Sequence, residues 1–396
     1  MFNVEHTKAE APKTDPRTEA GDRTRARELG IGFDGEPGTL NAITDVPGLE
    51  VGLVTLIGDA PGAPGSARTG VTAILPRGKH LAGSACAAGV AVLNGNGELT
   101  GRSWIEESGQ LQAPIAITNS HAVGAVHSGV DRWMAEHHPA TAAAWMLPVV
   151  GETWDGYLNA INAPTVTPAH AIEALNRASS GPVDEGSVGG GTGMNCYGFK
   201  GGTGTASRVV RSGDRSWTVG VLLQANFGSR KELRVSGHAL GRQSQAPNPM
   251  ETSGWFEREA GAGAQAVGGA GSVIVVVATD APLLPAQCDA LARRVPLGLA
   301  RTGTTGSHFS GDIFLAFSTA NEGALGSQMA GDEIRIESLD HVAWGSIDPF
   351  FEAVVEATEE AVMNALVAAR NMTGRDGHIS YALPHAEVRA AFGGAH

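Results

Sequence analysis

Between Gly271 and Ser272 of this 396-residue chain, a long stretch of glycine, proline and polar residues meets the run Val273-Ile-Val-Val-Val277. A run this apolar reads as a strand buried on both faces. A Gly-Ser pair alone is ordinary turn chemistry. Three features set this one apart. An irregular connector ends at this bond, a buried strand begins at it, and a second polar pair, Ser310 and Asp312, opens a later apolar strand. Together they suggest an N-terminal nucleophile. If the chain cuts itself between Gly271 and Ser272, Ser272 gains a free α-amino group beside its hydroxyl. With a reference pKa of about 7.7–8.0, that amine can be neutral and take the hydroxyl proton. One residue then supplies nucleophile and base. Glycine before the bond lets the hydroxyl approach and the backbone twist. Ser310 and Asp312, two apart on a strand, share a face and can reach the amine and hydroxyl of Ser272.

The elements that must position these groups follow from pattern. Strands are expected over 41–57, 69–76, 88–94, 113–120, 143–152, 216–228, 273–278 and 311–320, with one more over 232–241. Helices are expected over 122–138, 167–179, 284–302 and 346–371, the second with Thr167 as N-cap and Pro168 at its first position. Residues 241–271 keep no period and read as a flexible connector. Residues 1–28 are charged, balanced in sign and read as a mobile tail. Strand pairs are often adjacent, so strict βαβ alternation fails and antiparallel sheets covered by helices are expected.

A net charge of −13 argues against nucleic acid and anionic membrane surfaces as partners. No apolar run reaches membrane-spanning length and the N-terminus has no secretory apolar core, so the cytoplasm is the expected location. Cys86, Cys196 and Cys288 are far apart and odd in number, which predicts buried free thiols. The histidines lack metal-ligand spacing, so neither metal nor cofactor is implied. The glycine-rich 186–193 lacks the ending of a phosphate loop and reads as a turn where backbone approaches the active site. Residues 95–97 read as a tight turn, with Asn94 and Asn96 as candidates to line the pocket.

The segments GSVIVVVATDAPLL and LARTGTTGSHFSGDIFLAFSTAN resemble the β-chain start of the DmpA-type L-aminopeptidase/D-esterases and β-peptidyl aminopeptidases. LNAITDVPGLEVG, RTGVTAILPRG, VVGETWDGYLN, EGSVGGGTG, GFKGGTGTASR and TVGVLLQANFG match the same family in the same order, so the likeness covers roughly 28–375. The resemblance implies an α+β fold, the four-layer αββα sandwich of self-processing N-terminal-nucleophile hydrolases. It implies a single hydrolase domain over 29–396, cut into 1–271 and 272–396. Ser272 resembles the self-generated nucleophile, and Ser310 and Asp312 fall where the family has a serine and an acidic residue. Asn226 resembles the oxyanion-hole residue and Tyr157 an active-site tyrosine that hydrogen-bonds the tetrahedral intermediate. Glu152 is the candidate for the substrate ammonium, with Asp155 as the alternative. The implied substrates are short peptides, amides or esters with a free amino group, and the implied assembly is a homotetramer of cut protomers. Two readings compete: an uncut, non-catalytic member that binds a metabolite or holds an assembly together, and a related amide-oligomer hydrolase.

Overall fold

The structure, a computed structural model, describes residues 24–264, 268–327 and 334–393. Two sheets face each other. The first has the order β1-β2-β5-β6, from β1 (Glu50–Ala60), β2 (Ala63–Leu75), β5 (Ile115–Asn119) and β6 (Val149–Thr153). The second has the order β4-β3-β12-β11-β10-β9. Its strands are β3 (Cys86–Gly95), β4 (Gln110–Leu111), β9 (Gly202–Ser212), β10 (Arg215–Gly228), β11 (Gly269–Thr279) and β12 (Gly311–Ser318). A short hairpin, β7 (Asn195–Cys196) and β8 (Phe199–Lys200), stands apart.

Alternation along the strands divides the apolar residues into three layers. Ile274, Val276, Ile313 and Leu315 meet Ile74, Ile115, Ile117 and Val149 between the sheets. Val273, Val275, Val277 and Phe314 face the other way, into a core shared with α8 (Pro285–Ala292), α9 (Val295–Arg301) and α10 (Asp348–Ala368). Val54, Val71 and Val150 pack under α2 (Val123–His137) and α4 (Pro168–Arg177). This is the expected α+β arrangement, an αββα sandwich. β11 is apolar on both faces because it has a buried layer on each.

Several expectations change. The predicted strand over 41–57 begins at Glu50; residues 43–45 form a 3-10 turn before Pro47, which cannot donate to a ladder. Residues 143–148 are not strand: α3 (Pro139–Ala144) continues the helical run, and Trp145 turns the chain at φ 150. The single helix over 284–302 breaks between α8 and α9, where Pro296 would cost an interior hydrogen bond. No strand forms over 232–241; Ser236 and Gly237, at φ 44 and φ 82, close a turn with one bridge, Val235 to His238. The connector is helical in part, with α5 (Leu240–Gln243), α6 (Pro249–Thr252) and α7 (Trp255–Ala260). β9 has no sequence signal because its residues are small: a Cβ on Gly204 would lie 2.0 Å from the Ala361 carbonyl oxygen of α10. Helix and strand touch there through backbone. The three cysteines are free and buried.

The start of the chain also departs from expectation. Of the tail expected over 1–28, residues 24–28 pack against the body, with Ala26 and then Leu29 buried; the rest lies outside the described residues. Arg25 Nε pairs with Glu185 Oε2 at 2.8 Å and Arg27 Nε with Glu360 Oε1 at 2.8 Å. Glu360 also pairs with Arg208 Nη2 at 2.8 Å, both side chains 1% exposed. Burial pushes the Glu360 carboxyl up, but Arg27, Arg208 and Asn41 together hold it below its ordinary value. Its contribution to stability is therefore present above the ordinary carboxylate range and is lost as the pH falls through that lowered value. Removing Glu360 would leave Arg208 buried without its carboxylate. Glu360→Ala is expected to lose roughly 3–5 kcal/mol in denaturant unfolding. Glu36→Ala, which removes the exposed pair with Arg211, is expected to leave the midpoint where it is.

Candidate active site

The register of β11 builds the site. Ser272 pairs with Asn226 of β10 on one side and with Gly311 of β12 on the other. Gly311 stands between Ser310 and Asp312, so the nucleophile candidate, the oxyanion candidate and the Ser-Asp pair meet at one end of one sheet. Ser272, Asn226, Ser310 and Asp312 are all buried. Gly271 has no room for a side chain: a Cβ there would lie 1.9 Å from the backbone oxygen of Asn226.

Pleating decides which groups Ser272 can touch. Its side chain shares the inter-sheet face with Ile274 and Ile313, whereas Asp312 points to the other face. Ser272 Oγ accordingly accepts the Trp154 N–H, just past β6 in the facing sheet, at 3.3 Å. In the continuous chain neither Ser310 nor Asp312 bonds that hydroxyl, although sequence spacing placed both within its reach. They do bond each other: Ser310 Oγ donates to Asp312 Oδ1 at 2.6 Å. Asn94 Nδ2 donates to Asp312 Oδ2 at 2.9 Å. Burial pushes the Asp312 carboxyl up, and Ser310, Asn94 and the Val273 N–H offset part of the rise. Asn94 thus braces Asp312. Asn96 donates from Nδ2 to the Phe309 oxygen at 2.8 Å, and its own carbonyl covers Gly311, where a Cβ would meet it at 2.3 Å.

Asn226 is held from both ends of its carboxamide. Its Oδ1 accepts the Asn195 N–H at 2.9 Å, which fixes which atom is oxygen, and its Nδ2 donates to the Trp154 carbonyl at 2.9 Å. One N–H of the amide is left for another acceptor. The glycine-rich turn, residues Gly189–Gly193, is fully buried and comes close to this strand: a Cβ on Gly190 would lie 2.1 Å from Gln224 Oε1.

Glu152 lies on β6, opposite the sheet that carries Ser272. A Cβ on Gly97 would come within 3.3 Å of Glu152 Oε1 and 3.0 Å of the Gly311 Cα, so carboxylate, turn and nucleophile strand are contiguous. Glu152 Oε1 accepts the Glu98 N–H at 3.0 Å, and the Ser120 hydroxyl donates to Oε2. Burial raises its pKa, and those two donors offset part of the rise. Asp155 is different. It accepts Asn159 Nδ2 at 3.0 Å, is fully buried and faces the Lys200 ammonium. Burial pushes its carboxyl up to about 7, and of the two carboxylates Glu152 is the one beside the nucleophile.

Tyr157 lies behind Trp154 of the same motif, across the Trp255 ring. Its hydroxyl donates to the Ile379 carbonyl at 3.3 Å, and its ring stacks on His378 at 4.7 Å and meets Trp255 edge-on at 5.1 Å. Burial pushes the phenol up to about 12. The member of the same motif that reaches Ser272 and Asn226 is Trp154, through its backbone N–H and carbonyl. Sequence reading missed it because a backbone contact has no residue signature.

Among the described residues, no group of His, Cys, Asp or Glu is arranged to hold a metal ion, and no helix is long and apolar enough to cross a membrane.

Comparison with known proteins places the whole chain. Residues 41–380 match the profile of peptidase family S58. The β-peptidyl aminopeptidase BapA of Sphingosinicella microcystinivorans is 49% identical over 369 residues, which is 92% of this chain and 91% of that protein. The solved β-aminopeptidase of a Burkholderia species superposes with a TM-score of 0.82 at 45% identity, covering 93% of this chain and 98% of its own. The L-aminopeptidase D-Ala-esterase/amidase of Ochrobactrum anthropi, described as a prototype of the serine aminopeptidases and a variant of the Ntn hydrolase fold, gives 0.82 at 44% identity, covering 92% and 97%. With a likeness that spans both sheets and both helical layers, the chain belongs to peptidase family S58 and is a serine aminopeptidase of the Ntn hydrolase fold.

Proposed function

We propose that the chain matures by cutting its own Gly271–Ser272 bond and then removes single N-terminal aminoacyl groups from short peptides, amides or esters. The observation that supports this most directly is the register, which gathers Ser272, Asn226 and the Ser310–Asp312 pair at one strand end. In maturation the Ser272 hydroxyl attacks the Gly271 carbonyl, the peptide C–N bond breaks, and the nitrogen takes the proton. The ester formed is hydrolysed by water. In turnover the freed amine accepts the Ser272 hydroxyl proton as Oγ attacks the substrate carbonyl, then passes it to the leaving amine. Water releases the acyl group by the reverse transfer.

Asn226 stabilises the oxyanion, and losing one such donor costs about 100- to 1000-fold in rate. Ser310 and Asp312, flanking the residue beside Ser272, orient the freed amine once the strand no longer continues through it. Glu152 holds the substrate ammonium and limits the enzyme to one residue per cut. Tyr157 supports the site from beneath, through the aromatic stack behind Trp154. The identities with two aminopeptidases named for β-peptide or β-amino substrates favour N-terminal β-aminoacyl groups among those accepted. Exposed Ile334, Ile336 and Trp344 offer apolar surface for a homotetramer of cut protomers, and the cytoplasm is the proposed location.

Intact mass tests the cut. Scaling 40.6 kDa by chain length predicts fragments of about 28 and 13 kDa, the smaller beginning Ser-Val-Ile-Val. Ser272→Ala is expected to give one uncut chain with no turnover of an aminoacyl p-nitroanilide; residual cutting or turnover would refute the reading. Gly271→Ala should leave the purified chain largely uncut, because its Cβ would strike the Asn226 carbonyl.

The ammonium anchor is tested by kinetics. Glu152→Gln is expected to raise KM by about 10-fold or more with a smaller effect on kcat, as the loss of a charge-assisted bond predicts. The Ser120 hydroxyl favours the Glu152 carboxylate, so its removal raises that pKa further. Ser120→Ala should therefore move the acid limb of kcat/KM to higher pH, and an unmoved limb would exclude Glu152 from binding.

A further inference from the structure

Two ionisable groups beside the site, Lys200 and Asp155, take no part in the reaction above. Both are fully buried. Lys200 Nζ donates to the carbonyls of Met194 at 2.7 Å, Gly201 at 3.0 Å and Gly191 at 3.5 Å. Those acceptors match the three donors of an ammonium and leave none spare. Burial pushes the Lys200 amine down to about 7 and the Asp155 carboxyl up to about 7, and the attraction between them opposes both shifts.

The pair sits on the two segments that grip Asn226. Met194, bonded by Lys200, is followed by Asn195, whose N–H holds Asn226 Oδ1 at 2.9 Å. Asp155 follows Trp154, whose carbonyl holds Asn226 Nδ2 at 2.9 Å and whose N–H holds Ser272 Oγ at 3.3 Å. A shift of either segment would free the carboxamide to turn and present oxygen where a donor is needed.

We propose that Lys200, bonded to the Gly191, Met194 and Gly201 carbonyls, is a positioning residue that keeps Asn226 turned with its free N–H toward the reacting carbonyl. This rests on Asn226 being the oxyanion donor. Lys200 acts through Asn226 and touches no substrate.

The test is a double-mutant cycle on the full chain, assayed with an aminoacyl p-nitroanilide. Lys200→Met is expected to lower kcat by about 10-fold or more with KM within about twofold, the signature of a contact made only in the transition state. In an Asn226→Ala background the same substitution should change kcat by less than about twofold, because the residue it positions is gone. If Lys200→Met does not fold, Asp155→Asn/Lys200→Met, which leaves no unpaired buried charge, takes its place with the same expectations. Wild-type kcat in the folded variant, or an equal loss in both backgrounds, would overturn the role of Lys200. Full turnover by Asn226→Ala would instead overturn the oxyanion assignment, and the role of Lys200 with it.

Discussion

The pairing of β11 between β10 and β12 is the constraint on which the site depends. It is antiparallel on one side and parallel on the other. Antiparallel pairing brings Asn226 level with Ser272, and parallel pairing brings Gly311 level with it from a distant part of the chain. A slip of one residue would send Ser272 toward the helices and Val273 toward Trp154. Both buried faces of β11 resist such a slip, because each alternate residue is fitted to its own apolar layer. The same pressure explains the glycines at 271 and 311, where backbone crosses backbone with no space for a Cβ, and the tight fit at Gly97.

Much of this was legible in the sequence. The Val273–Val277 run, the Ser-Gly-Asp spacing and the strand ending in Asn226 located the right end of the right sheet. Periodicity found α2, α4 and α10 to within a few residues. What escaped notice had a common cause. β9 is written in Gly, Thr, Ala and Ser because α10 lies against its backbone, so its signal is the absence of side chains. Trp154 contributes an N–H and a carbonyl, which any residue has. Asn94 was placed in the right neighbourhood, but its bond to Asp312 was not foreseen, because spacing does not say which way a carboxamide turns. Tyr157 shows the same limit, since its hydroxyl is taken by a carbonyl more than two hundred residues away.

Buried charge is used in two distinct ways. The Arg27–Glu360–Arg208 cluster joins the beginning of the described chain to β9 and α10, far along the sheet from Ser272. The Asp155–Lys200 pair lies at the site itself. A charge is costly alone in a low-dielectric interior; Glu360 is tolerated by its two arginines, whereas burial moves Asp155 and Lys200 toward their neutral forms. Glu152 differs in having two hydrogen-bond donors and, among the described residues, no ion pair with a lysine or arginine, which leaves its charge to be matched from outside.

The strand order carries a consequence for the life of the protein. A cut after Gly271 would assign β11 from Ser272 onward, β12 and α10 to one fragment, yet those two strands lie in the middle of the six-stranded sheet with strands of the other fragment on both sides. Glu360 would belong to one fragment, and both arginines that neutralise it to the other. The pieces could not part without dismantling the sheet. Once dismantled, they would have to find each other again by diffusion rather than along a shared backbone. Maturation would thus turn a reversible folding equilibrium into a one-way assembly, whose persistence is set by the rate of unfolding rather than by its free energy.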